Sequence, residues 1–483
     1  MTESELSLAI GATLMPGFDG PVLPGWVAAQ LDAGLGSVCL FDSNIADLGQ
    51  LRTLTAAIHE RRPDAIVATD EEGGDVTRLH HRIGSPHATA AFLGRQDSVA
   101  ATEATGNSIG AELREAGIDL NLAPDADVNS DPRNPVIGVR SFGADADLVA
   151  RHVAAYVRGV QRAGVAACAK HFPGHGDTAT DSHAELPVVG VDRGTLDHRE
   201  LVPFAAAVDA GTLAVMTSHI LVPAVDPLLP ATLSATVLGI LRHDLGFTGA
   251  IVSDALDMAG ASRSRGIPEA AVLALAAGVD LMCIGAGNTG DELAAIRTHI
   301  LDAVRTGRLA ESRVFEAAGR VSGLVSGVSE LRTAPAPIAD PPELDSAVFW
   351  RGGSLPSLVA PLIVKLDSLG NPALAQTPWG IGEHLRPELD RWLPGATCAT
   401  ARDLGELRTV LGANTARPLV VQGRDLGRVP FLTDAVALVR RERSDAIVVE
   451  LGWPEPALGD VATHSAGRGT SSALIRLLAT GAD

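Results

Sequence analysis

The chain is expected to fold as an α/β protein, with a TIM-type (β/α)8 barrel followed by a smaller, sandwich-like α/β domain. Three observations predict this. Short, wholly apolar runs recur eight times before residue 290, with helical patterns between many of them, as parallel strands buried on both faces require. Polar, chemistry-bearing residues follow five of these runs in succession, and a closed barrel gathers such strand ends on one face. A Pro/Ala-rich stretch then interrupts the pattern before apolar runs resume.

The eight runs are Leu8–Leu14, Gly36–Phe41, Ala65–Thr69, Leu120–Ala123, Ala166–Lys170, Leu213–Thr217, Ala250–Ser253 and Leu281–Ile284. Leu148, Val149, Val153, Tyr156, Val157 and Val160 repeat at helical spacing, after the cap-like Asp145 and Asp147 and before Gly164. Ser234 and Gly246 bracket a second helix. An open doubly wound sheet shares this alternation, and periodicity does not separate the two. The polar strand ends favour the barrel: Asp70–Glu72, Pro124–Asp127, Lys170–His171, Ser218–His219 and Asp254. The barrel is expected over residues 1–331, a linker over 332–346 and the second α/β domain over 347–483, where Leu358–Val364, Pro418–Val421 and Ala446–Leu451 supply strands. In that domain Gly467-Arg-Gly-Thr-Ser-Ser472 has the composition of an anion cradle. Lacking a clear preceding strand, it reads as an ordinary loop.

Composition narrows the function. The 483 residues carry a net charge of −20, which argues against nucleic acid and anionic membranes as partners. Apolar residues are 46% and charged residues 20%, the balance of a globular chain. No apolar run reaches the roughly 18 residues of a spanning helix, and the start, Met1-Thr-Glu-Ser-Glu-Leu6, lacks the basic region of a signal peptide. Cys39, Cys168, Cys283 and Cys398 form no C-x-x-C pair and read as reduced core residues of a cytoplasmic protein.

Three polar constellations carry chemistry. Lys170-His-Phe-Pro-Gly-His-Gly-Asp-Thr-Ala-Thr-Asp-Ser-His183 packs one Lys, three His and two Asp into a turn-rich loop. Its His171, His175, Asp177, Asp181 and His183 are competent metal ligands, but Lys170 would set a cation beside the ion and the spacing fits no zinc pattern. A solvated surface loop is the plain alternative. Acid–base chemistry is the third reading: in extended backbone Asp181 and His183 point to the same side, so the carboxylate can hold one ring nitrogen while the other exchanges a proton. In Ile251-Val-Ser-Asp-Ala-Leu-Asp-Met258, Asp254 closes a buried strand and suits a nucleophile, base or sugar clamp, with a helix N-cap as the structural alternative. Asp257 falls in the loop or helix beyond. In Asp70-Glu-Glu-Gly-Gly-Asp-Val-Thr-Arg78 the two glycines permit a sharp turn. Asp70 can accept two hydroxyls there, and Arg78 and Arg140 can bracket a polar ligand or simply form surface ion pairs.

Together these segments resemble the β-N-acetylhexosaminidases of glycoside hydrolase family 3, from about Leu8 to Ala286. The family pattern K-H-F-P-G-H-G-D-T-x-x-D-S-H is matched at every fixed position from Lys170 to His183, and D-x-E-G-G-x-V-x-R from Asp70 to Arg78. Pro135-Val-Ile-Gly-Val-Arg-Ser-Phe-Gly143 and Ser253-Asp-Ala-Leu-Asp-Met258 also fit. The resemblance implies a TIM-type barrel, sometimes followed by an α/β sandwich domain. It implies Asp254 as nucleophile and His183 as general acid/base supported by Asp181. It implies Asp70, Arg78, Arg140, Lys170 and His171 as sugar-binding residues, and no metal or cofactor. The expected activity is a retaining exo-β-N-acetylglucosaminidase acting on a small carbohydrate ending in N-acetylglucosamine. Because a His acid repels an incoming anion less than a carboxylate does, a phosphorylase is the alternative; a catalytically silent sugar-binding protein is the remote one. Aromatics are only 3%, and the barrel region has one Trp, Trp26. With few stacking platforms, a short soluble glycan or muropeptide is favoured over a polysaccharide.

Overall fold

The structure, a computed structural model, describes residues 2–178, 186–263, 265–333, 344, 349–350, 355–368, 377–414, 416–454 and 457–481. The chain divides into two compact units: Met1–Glu71, Ser98–Ile137 and Gly143–Pro341 form the first, and Glu72–Asp97, Gly138–Phe142 and Pro342–Asp483 the second.

Eight parallel strands build the first unit: β1 (Leu14–Pro16), β2 (Ser37–Leu40), β3 (Ile66–Thr69), β4 (Leu120–Asn121), β5 (Ala166–Phe172), β6 (Ala214–Thr217), β7 (Ala250–Ser253) and β8 (Leu281–Gly285). Each pairs with the next from β2 to β8, β8 pairs with β1, and β1 lies against β2 to complete the ring. Helices return the chain between strands, as in a TIM-type barrel. One helix, Ala146–Arg162, starts at the Asp145 cap, whose side chain accepts from the Leu148 N–H. Another starts at Ser234, which caps the Val237 N–H.

The first apolar run is not a strand. Glu3–Ala12 is a helix with a reciprocal Thr2/Glu5 capping box, and the strand begins only at Leu14. Leu6, Ala9 and Ile10 are buried at helical spacing while Leu8 is 51% exposed. A short apolar run does not by itself distinguish the two periods, and the cap decides this one.

Inward-facing Met15, Cys39, Ala68, Leu122, Cys168, Met216, Val252 and Cys283 fill the barrel. The helix Glu311–Thr333 adds Val321, Leu324 and Val328 to the same core. It closes the amino-terminal end of the barrel. There Asp119, just before β4, holds the Val67 N–H and pairs with Arg332 at 2.8 Å. Asp280, just before β8, holds the Ile251 N–H and pairs with Arg242 at 2.7 Å and Arg313 at 2.6 Å. The opposite, carboxyl end is left open to chemistry.

The second unit is a six-stranded sheet of β9 (Phe349–Trp350), β10 (Leu362–Leu366), β11 (Thr397–Ala401), β12 (Leu419–Gly423), β13 (Ile447–Glu450) and β14 (Val461–Ala462). The order is β11-β10-β12-β13-β14-β9, parallel except for the β9 edge. The segment Gly467–Ser472 is not a loop. Gly467 is the N-cap of the helix Arg468–Thr480, and its missing side chain lets the backbone come close to Gly74, whose Cα would lie 3.2 Å from a Cβ there. Its Gly and Ser content serves close packing, with Thr470 and Ser471 buried. All four cysteines are free thiols, three of them buried and Cys398 half-buried. Among the described residues no helix is long and apolar enough to cross a membrane.

Candidate active site

Strand ends build the site. Asp70 follows β3, and its position is set from the neighbouring strand. The Asn121 side chain, ending β4, accepts from the Glu71 N–H at 3.0 Å and donates to the Glu71 carbonyl at 2.9 Å. The Tyr156 hydroxyl donates to the same carbonyl at 3.1 Å. Lys170 in β5, its side chain 3% exposed, donates to Asp70 Oδ1 at 2.6 Å.

His171 comes next on β5 and is oriented by Asp127. Asp127 Oδ2 meets His171 Nδ1 at 2.8 Å, and Oδ1 accepts the backbone N–H groups of His171 at 3.2 Å and His175 at 2.7 Å. Asp125 Oδ1 in turn holds the Asp127 N–H at 2.9 Å. Burial alone would raise Asp127; the charge and hydrogen bond of His171, helped by His175, outweigh it and hold the carboxyl below its ordinary range. The Asp127 carboxylate on Nδ1 fixes the orientation of the His171 ring. Asp125, Asp127 and His171 place three potential metal-ligand atoms within 4.8 Å of one another. Both oxygens of Asp127, however, already accept hydrogen bonds from the two histidines, which fits an orienting carboxylate.

Asp254 follows β7, partly exposed. Its N–H bonds the Thr217 carbonyl of β6 at 3.1 Å, and its Oδ1 accepts the Ala255 N–H at 2.8 Å. It is not a helix cap, because the next helix, Ala259–Ser262, starts from Met258; Asp257 lies exposed in the turn between. Burial works against the Asp254 carboxylate. The imidazoles of His219 and His171, the Ala255 N–H and the Lys170 ammonium overcome it, so Asp254 lies below the ordinary carboxylate range. His219, at the end of β6, is clamped between Thr232 Oγ1 on Nδ1 and the Ala255 carbonyl on Nε2, both at 2.9 Å. A carbonyl only accepts, so Nε2 carries the proton. Burial pushes this imidazole below its ordinary range, against the pull of Asp254. Lys170, Asp70 and Asp254 all act on the buried Cys168 thiol, as charges gathered over the barrel axis do.

The barrel thus brings Asp70, Lys170, His171 and Asp254 together. Arg78 and Arg140 belong to the second unit. There Arg140 forms a two-pronged pair with Glu72 at 2.8 and 2.9 Å, each side chain 7% exposed. Asp181 and His183 lie outside the described residues. The segment leading to them is well anchored. Asn134 Nδ2 donates to the His175 and Gly176 carbonyls at 2.9 and 3.1 Å, and His175 Nδ1 meets Thr178 Oγ1 at 2.8 Å. Arg199 bridges Asp177 at 2.5 Å and the buried Glu200 at 2.6 Å. Of the further site residues, Asp127 and His219 stand out in the sequence only as polar strand ends, without an assigned role, and Asn121 not at all.

The open end of the barrel gathers carboxylates, a lysine and a carboxylate-held histidine, groups that suit glycoside hydrolysis. Residues 27–324 match the Glycosyl hydrolase family 3 N terminal domain, and the chain belongs to that family. It is 35% identical over 317 residues to Beta-hexosaminidase A of Pseudoalteromonas piscicida, an alignment covering 60% of this chain and 53% of that protein; the chain therefore spans about half the length of that relative. A glycoside hydrolase family 3 beta-N-acetylglucosaminidase from Paenibacillus sp. has a similar structure, with a TM-score of 0.87 at 29% identity over 99% of this chain and 97% of that one. NagZ from Neisseria gonorrhoeae, solved with N-trifluoroacetyl-D-glucosamine, matches at a TM-score of 0.55 and 32% identity over 67% of this chain and 93% of that one.

Proposed function

We propose that the protein is a retaining exo-β-N-acetylglucosaminidase that releases terminal N-acetylglucosamine from short glycans or muropeptides. The observation that carries this reading is Asp254: a carboxylate fixed at a barrel strand end, partly exposed, and held ionised by its neighbours. The names of the similar proteins and the glucosamine derivative bound to the gonococcal one support the substrate class.

Asp254 attacks the anomeric carbon as the glycosidic bond breaks, and His183 delivers a proton to the departing oxygen. Water then attacks the same carbon, His183 takes its proton, and the Asp254 ester is released with net retention. Asp181 orients and charges the imidazole. Asp70, Lys170 and His171 take sugar hydroxyls. Neither step calls for a metal or cofactor.

A fluorinated N-acetylglucosamine analogue with a good leaving group should trap the intermediate, and peptide mass spectrometry should find the label on Asp254. A labelled peptide lacking Asp254 overturns the assignment. Product analysis with and without phosphate separates hydrolysis from phosphorolysis, which would release sugar 1-phosphate.

A further inference from the structure

The second unit carries a cavity that the glycosidase chemistry does not use. The first five strands of its sheet run β11-β10-β12-β13-β14, so the chain leaves β10 for one neighbour and later returns to fill the other side. In such doubly wound sheets, ligands settle outside the carboxyl ends of the strands where the order reverses. Lys365 is the penultimate residue of β10 and pairs in register with Thr400, the penultimate residue of β11. Arg424 follows β12 directly. Toward these strand ends a cavity of about 350 Å³ opens, lined by Lys365, Trp379, Ile381, His384, Cys398 and Thr400 among others. That volume lies at the small end of the range for small-molecule sites.

The lining carries the Lys365 ammonium, the His384 imidazole and the Glu383 carboxylate. The Lys365 ammonium sits 4.5 Å from the centre of the Trp379 ring and is in no ion pair among the described residues. The Arg424 guanidinium lies 4.5 Å from the same ring and is offset by Asp75 at 3.6 Å. Burial, and then the Arg424 and Arg402 guanidiniums, press on the Lys365 charge against the pull of Asp367. His384 Nε2 is buried without a hydrogen-bond partner among the described residues. Burial, Lys365 and Arg468 disfavour its protonation, while Glu388 favours it. Glu383, the one carboxylate among the described lining residues, is held by Arg386. A half-buried ammonium without an ion pair, in the same cavity as an unsatisfied imidazole nitrogen, is costly to maintain. A bound anion would reverse each of those costs.

We infer that this cavity binds a small oxyanion, a phosphate monoester or a carboxylate on a body no larger than a monosaccharide, with Lys365 as its ion-pair partner and His384 Nε2 and Thr400 Oγ1 as hydrogen-bonding groups. The site belongs to the second unit alone and does not depend on the proposed glycosidase reading.

Calorimetric titration of the full-length protein with inorganic phosphate, glucose 6-phosphate and gluconate tests it, the three probes separating phosphate from carboxylate and bare ion from sugar-borne anion. The expected result is saturable one-to-one binding of at least one probe. It should weaken about tenfold or more in Lys365→Met, as loss of a charged partner does, and less in Thr400→Val, while Lys365→Arg retains it. Hydrolysis of a nitrophenyl glycoside should be unchanged in all three variants, which also reports that each is folded. Should Lys365→Met fail to fold, Thr400→Val and Lys365→Arg carry the test. No saturable binding of any probe at millimolar concentration overturns the proposal. So does binding that Lys365→Met and Thr400→Val leave undiminished, which would place the anion elsewhere, beside Lys170 for instance.

Discussion

Asp254 and Asp127 are both carboxylates that burial would neutralise and nearby imidazoles keep ionised. A carboxyl whose folded value is depressed contributes stability above its unfolded value and loses it as pH falls through the folded one, so both groups support the neutral-pH enzyme. Asp127 acts through His171. Asp127→Asn should lower kcat/KM about 10–100-fold, mainly by raising KM; steady-state kinetics will read this, and an unchanged KM would mean that His171 needs no orienting carboxylate. For His183 the prediction turns on the leaving group. A nitrophenolate barely needs a proton to depart, whereas a sugar hydroxyl does, and the second step needs a base with either substrate. His183→Ala should nearly abolish cleavage of a disaccharide. With a nitrophenyl substrate it should give a burst and slow turnover, and azide should restore turnover as a β-glycosyl azide. Asp181→Asn should show a milder form. Equal slowing of both substrates without azide rescue would make His183 a binding residue.

At the level of elements, the loop after β5 is tied down through the short helical segment Leu196–Glu200. Gly174 passes so close that an added Cβ would lie 2.8 Å from Glu200 Oε2, at a backbone φ of +127° that favours glycine. Gly176 would place a Cβ 1.7 Å from the Val128 carbonyl. These approaches pack the turn-rich loop closely against Glu200 and Val128. Burial raises Glu200 to about 7, against the pull of Arg199. Such a group contributes stability that is complete below its unfolded value and is lost as pH rises toward about 7. Thermal melts between about pH 4.5 and 8 should therefore fall with rising pH more steeply in the wild type than in Glu200→Gln. Parallel curves would mean that Glu200 does not titrate there.

For the whole molecule, an aromatic content of 3% leaves few rings on which a long glycan could stack. Each further sugar bound to a protein usually gains from stacking on an aromatic face, and the barrel sequence offers Trp26 as its one tryptophan. The kcat/KM for N-acetylglucosamine oligosaccharides of two to five units should stay within about threefold, since extra units add little binding energy for the transition state to use. A steady rise with chain length would reveal an extended cleft and shift the substrate toward polymers.

What local pattern encodes, the sequence by itself determined. Seven of the eight barrel runs start at or just before a strand of the ring, and the first, Leu8–Leu14, reaches one only at its last residue, because residues buried on both faces must be apolar wherever the partners lie. The helix caps at Asp145 and Ser234 were legible for the same reason: each acts within one turn of itself. The candidate site was legible where its groups are close in sequence or end a strand, as with Lys170, His171 and Asp254. Other features became defined only when distant segments met. Leu6, Ala9 and Ile10 make Glu3–Ala12 a helix because that face has a core to enter. Val321, Leu324 and Val328 recur at helical spacing, but the barrel core that they complete is not written in that spacing. Thr89 donates to the His464 carbonyl and Asp75 accepts the Ala466 N–H, which draws Glu72–Asp97 into the second unit. Asp127 reaches His171 across 44 positions, and His219 bears on Asp254 from the neighbouring strand. Such partners are chosen by ring closure and strand register, which no window of sequence contains, and they decide which of many polar strand ends become charged, oriented and able to react.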